Sequence, residues 1–74
     1  MKLPRVTGEK VLRALQRAGF ILVHTRGSHH FLYHEEKDCL VTVPVHTGTI
    51  IAPKTLLSIL SQAKISREEF IALL

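Results

Sequence analysis

Seventy-four residues with a formal charge of +4 and a sequence pI of about 9.7 make room for one small domain, residues 1–74, and exclude a second. An apolar fraction of 46% against 22% charged residues excludes a disordered chain. The positive balance favours a polyanionic partner such as RNA, DNA or an acidic protein, although a merely soluble basic domain would carry the same charge.

The opening Met1-Lys2-Leu3-Pro4-Arg5 leads into an amphipathic segment, and an apolar run such as Phe20 to Val23 is far too short to span a bilayer. Neither secretion nor membrane insertion is expected. From Thr7 to Ala18, Val11, Leu12, Leu15 and Ala18 recur at three- and four-residue spacing, which predicts a helix with one apolar face. Thr7 is placed to cap it, Val6 and Val11 stand at the positions of a hydrophobic staple, and Gly19 can take a left-handed exit with Phe20 folding back on Leu15.

Phe20 to Thr25 is rich in β-branched and aromatic residues and reads as a strand. Arg26-Gly27-Ser28 follows as a turn. A second strand, His29 to His34, places His29, Phe31 and Tyr33 on one face and His30, Leu32 and His34 on the other. Glu35 to Asp38 is a charged turn, and Cys39 to Val43 a third strand that Pro44 terminates, giving an antiparallel meander. After an irregular stretch from Val45 to Ala52, Pro53 opens a helix whose apolar stripe is Leu56, Ile59, Leu60 and Ala63. Ser66-Arg67-Glu68-Glu69 is a capping box, stapled by Ile65 and Phe70, for a short last helix. The predicted class is α+β, in the order α-β-β-β-α-α, with the first two helices on one face of a three-stranded antiparallel sheet and the other face open.

Five histidines stand out: His24, His29, His30, His34 and His46. Histidine can give or take a proton near neutrality, but on a half-exposed sheet it is more often an ordinary solvent-facing residue. His29 has the most suggestive position, because it follows Gly27 and Ser28 at the mouth of a turn, where the backbone can approach a ligand and Ser28 can donate a hydrogen bond. A metal site is not expected, since His30 and His34 lie roughly 13 Å apart along a strand and no carboxylate joins them. Ser28 and His29 point to opposite faces and make no triad, and Cys39 reads as a small buried hydrophobe. The single cysteine also excludes an internal disulfide and suits a reducing cytoplasm. Arg26 and Lys54 are the cations nearest His29, with Lys54 at a helix start where a phosphate could also meet backbone N–H groups.

Taken in order, Gly27-Ser28-His29-His30-Phe31, Val43-Pro44-Val45-His46 with Gly48, Thr55-Leu56-Leu57-Ser58-Ile59-Leu60 and Ser66-Arg67-Glu68-Glu69-Phe70 resemble the HicA (YcfA-like) mRNA interferase toxin family over nearly the whole chain. The resemblance implies a double-stranded-RNA-binding-domain-like α-β-β-β-α fold, here with a short extra C-terminal helix. It also implies metal-independent mRNA cleavage without a cofactor, and neutralisation by a HicB-like antitoxin protein. The histidine of the Gly-Ser-His motif is catalytic in that family, which assigns the role to His29; Arg26, Gly27, Ser28, His30 and Lys54 are expected to contact RNA from their positions around it, not from the relatives. Lys54 and Lys64 stand where many relatives have glycine, and a non-glycine residue at a left-handed helix exit costs about 1 kcal/mol, so the exit at Lys64 is expected to use another geometry. Phe31 and Tyr33 share the His29 face, where they could stack a base, although Phe31 suits the core equally well. From the residues alone, a non-catalytic RNA-binding module and a basic interaction protein stand as rivals to the enzyme.

Overall fold

The computed structural model describes residues 2–74, so that Met1, the first residue of the basic opening stretch, lies outside the described residues. Helix α1 runs over Gly8–Arg17 and begins where Thr7 Oγ1 accepts from the Lys10 N–H at 3.3 Å. Val6 and Val11, on either side of that cap, are both buried, as a staple requires. At the exit Gly19 adopts φ +101°, the Phe20 N–H donates to the Leu15 carbonyl at 3.0 Å and the Gly19 N–H to the Gln16 carbonyl at 3.1 Å. This pair of bonds closes a Schellman motif, and because Phe20 is consumed by it, the first strand starts one residue later than the sequence pattern suggests.

Strands β1 (Ile21–Arg26), β2 (His29–His34) and β3 (Cys39–Pro44) form an antiparallel sheet in the order β1-β2-β3. The first turn has two residues, Gly27 and Ser28. Arg26, expected in the turn, is instead the last residue of β1 and pairs with His29. Gly27 holds φ +60° at the first turn position, as a type II′ hairpin demands. A bulge at Val23 interrupts the β1–β2 register, which pairs Leu22 with Leu32 but His24 with Phe31. β1 is exposed along its whole length and forms a free edge.

The inner face of the sheet presents Leu32, Val41 and Val43, all fully buried, and α1 and α2 (Pro53–Ala63) both pack on β3. The predicted stripe of α2, Leu56, Ile59, Leu60 and Ala63, is buried in full. Lys64 ends α2 with φ 57° and ψ 42°, a left-handed conformation, which corrects the expectation of another geometry at this exit. Its N–H bonds the Ser61 carbonyl and the Ile65 N–H bonds the Leu60 carbonyl, so a lysine here does the work usually done by glycine. The Lys37 ammonium, from the β2–β3 turn, donates to the Ala63 and Lys64 carbonyls at 3.3 and 3.2 Å and satisfies the end of the helix.

The capping box of α3 (Arg67–Leu73) forms as read, with Ser66 Oγ accepting from the Glu69 N–H and Glu69 Oε1 accepting from the Ser66 N–H, each at 3.1 Å. Phe70 is fully buried, and its removal from water stabilises this short helix by about 1.5–3 kcal/mol. Arg17 ties the ends of α1 and α3 together by donating to the Leu73 carbonyl at 2.7 Å. The architecture is thus α-β-β-β-α with an extra C-terminal helix, consistent with a double-stranded-RNA-binding-like fold. Among the described residues no helix is long and apolar enough to cross a membrane.

Candidate functional site

The β1–β2 hairpin brings Arg26, Gly27, Ser28 and His29 together at one end of the sheet. Arg26 and His29 are directly opposed across the strands, which sets their Cβ atoms roughly 5 Å apart on the face away from the helices. Both are exposed, and the His29 imidazole engages no hydrogen-bond partner among the described residues. An unencumbered imidazole beside a guanidinium can exchange a proton with a ligand while the cation holds an adjoining anion.

The backbone beneath the pair is braced from the opposite side. The Val45 N–H donates to the Ser28 carbonyl at 2.8 Å, and Pro44 pairs with His29 in the sheet. Pro44 in turn sits against the start of α1, since a Cβ on Gly8 would come within 2.5 Å of the Pro44 carbonyl oxygen. The helix therefore approaches the strand as closely as only glycine allows. Gly27 is different: a Cβ there would meet nothing within 4 Å, so its glycine is required by the backbone angle alone.

His30 does not join this group. It projects to the inner face, where its Nδ1 lies 3.2 Å from the Ser28 carbonyl. Lys54 is exposed in the first turn of α2, which follows β3 through the 45–52 segment; Pro44, His46 and Thr55 line a shallow depression with Thr49 and the apolar 50–52 stretch, and Lys54 is not among its lining residues. His34 is structural: Nδ1 accepts from the Lys37 N–H at 3.2 Å, the ring meets Phe20 edge-on at 5.0 Å, and Nε2 would lie 3.0 Å from a Cβ on Gly19.

Phe31, read as equally suited to the core, lies outside it and is half-buried on the same open face as His29. His24, whose role nothing in its own neighbourhood of the sequence marks, stands opposite Phe31 with ring centroids 5.5 Å apart. A two-residue Gly-Ser turn and simple alternation would have placed it there. Further along the face, the Tyr33 hydroxyl donates to Asp38 Oδ1 at 2.6 Å, and this bond to a carboxylate holds the phenol above its ordinary pKa. Among the described residues no three of histidine, cysteine, aspartate and glutamate gather to hold a metal ion.

Residues 8–65 match the family described as HicA toxin of bacterial toxin-antitoxin. No curated protein matches the chain. The matched span includes α1, the whole sheet, α2 and the hairpin that carries His29.

Proposed function

The chain belongs to the HicA toxin family, whose members are generally mRNA-cleaving toxins partnered by HicB antitoxins, and we propose that it is a metal-independent endoribonuclease with His29 as its catalytic residue. The observation that carries this reading is the exposed Arg26–His29 pair on the Gly27-Ser28 turn, within the matched span.

In this mechanism His29 takes the proton of an RNA 2′-OH, and the freed oxygen attacks the adjacent phosphorus. The bond from phosphorus to the 5′-oxygen of the next nucleotide breaks, that oxygen takes a proton back from the imidazolium, and a 2′,3′-cyclic phosphate is left on the upstream fragment. Arg26 stabilises the charge that develops on the phosphoryl oxygens, and Ser28 helps to position the phosphate. Lys54 and the start of α2 extend the electrostatic footprint.

A HicB-like antitoxin acts, in this reading, by covering the His29 face, with acidic groups set against a basic domain. The test is cell growth on induction of the wild type beside His29→Ala, with and without a HicB-like partner. Wild type should arrest growth, His29→Ala should accumulate folded and harmless, and both should bind the partner. Toxicity retained by His29→Ala would remove His29 from the chemistry, and loss of its fold or partner binding would make His29 structural.

A further inference from the structure

On the open face of the sheet the register arranges side chains in three rows: Arg26, His29 and Pro44; His24, Phe31 and Thr42; Ile21, Tyr33 and Leu40. The first row carries the proposed chemistry. The second carries an aromatic pair with no role in the core, although the chain's other two phenylalanines, Phe20 and Phe70, are both buried there. Phe31 is half-buried and His24 exposed, with their rings tilted by 37°. His24 is thus the more exposed ring of the pair, and Phe31 lies beside it across the strands.

Successive rows along a strand are roughly 7 Å apart, about the span from a phosphate to the base of its own or the adjoining nucleotide. A phosphate held at Arg26 and His29 therefore puts a base over the second row. We propose that His24 and Phe31 form a nucleobase subsite, stacking one unpaired base beside the phosphate held by Arg26 and His29, so that the strand is single-stranded where it is cut. The location of the phosphate rests on the function proposed above; the stacking does not require cleavage. Duplex RNA hides the faces of its bases and cannot use such a platform, whereas any unpaired base presents one.

The test uses short single-stranded oligonucleotides with deoxyribose sugars, which keep phosphates and bases but lack the nucleophile. Each is compared with an abasic strand of the same length and with its own duplex. Tyr33, the only tyrosine in a chain without tryptophan, lies one row further along the face and reports binding by its fluorescence. Wild type should prefer the base-bearing strand over the abasic one by roughly five- to a hundredfold. Phe31→Leu, which keeps the apolar bulk, and His24→Ala, at an exposed position, should both bring that ratio toward one while leaving abasic binding unchanged. Equal affinity of wild type for base-bearing and abasic strands, an unchanged ratio in both variants, or tighter binding of the duplex would overturn the subsite. Acidic-protein binding at this face with no affinity for single strands would overturn it as well. A wild type that stacks bases but leaves RNA intact would sink the nuclease reading and keep the subsite.

Discussion

Gly8→Ala tests how the helix layer supports the site. The added Cβ would stand 2.5 Å from the Pro44 carbonyl oxygen and 3.0 Å from the Val45 Cα, two backbone atoms that no rotamer change can move. Overpacking of this kind costs about 1–3 kcal/mol. At this first helical position the higher helix propensity of alanine offsets less than the roughly 0.5–1 kcal/mol of a helix interior, leaving a net loss of about 1–2 kcal/mol. In a domain of this size such a loss lowers the melting midpoint by roughly 5–15 °C. The strain should also reach the hairpin, because Val45 donates to the Ser28 carbonyl and Pro44 pairs with His29. Thermal and urea unfolding give the stability, and hydrogen exchange at the Val45 amide gives the local effect. Gly48→Ala is the control: its Cβ has open space and only the positive φ of +73° to contend with, for about 1 kcal/mol and no change at Val45. A Gly8→Ala protein as stable as the wild type, with Val45 equally protected, would refute the close approach as a support of the site.

Titration of Tyr33 by phenolate absorbance should give a midpoint above 10, moving back toward 10 in Asp38→Asn. Because the folded-state value is raised, the stability contributed by the Tyr33–Asp38 bond is present below pH 10 and is lost as pH rises through the folded midpoint; an ordinary midpoint in the wild type would contradict the bond. Lys64→Gly should raise stability by about 0.5–1 kcal/mol in urea unfolding, since it relieves a left-handed residue while the Lys37 bonds to the α2 carbonyls remain. A destabilised variant would show that the Lys64 side chain itself holds the exit. In RNA binding measured against salt, Lys54→Ala should flatten the slope more than Lys37→Ala, because Lys37 is already committed to the opposite end of α2. Equal slopes would place the RNA track elsewhere.

The local signals in the chain were readable because their physics is local. Thr7, Gly19, Pro53 and the Ser66–Glu69 box each act within a few residues of themselves, and each stands where its cap or exit forms. The alternation of β2 likewise separated Leu32 from His29 and Phe31. The bulge at Val23 has no such signature; it turns Leu22 inward to face Leu32 and leaves Ile21 on the open face, a choice made by packing across strands. Lys64 misled for a related reason, since the ammonium that supports its left-handed exit comes from Lys37, 27 residues away. The role of Gly8 depends on Pro44 and Val45 at the far end of the sheet, and nothing around Gly8 announces it. Of the site, the Gly27-Ser28-His29 turn and the facing of His30 away from His29 were legible in the turn residues and the alternation of β2, whereas the pairing of Arg26 with His29 required the register.

The measurement that bears most directly on His29 is cleavage of single-stranded RNA in excess chelator by wild type and His29→Gln, with the product ends identified. Glutamine keeps a hydrogen-bonding group but cannot exchange a proton at neutral pH. Wild type should cut RNA and leave 2′,3′-cyclic phosphate ends, and should fail on a strand with deoxyribose at the cleavage position while still binding it. His29→Gln should bind RNA and leave it whole. Cutting by His29→Gln, efficient cutting at the deoxy position, or activity that chelator abolishes and one particular metal restores would contradict proton transfer by His29.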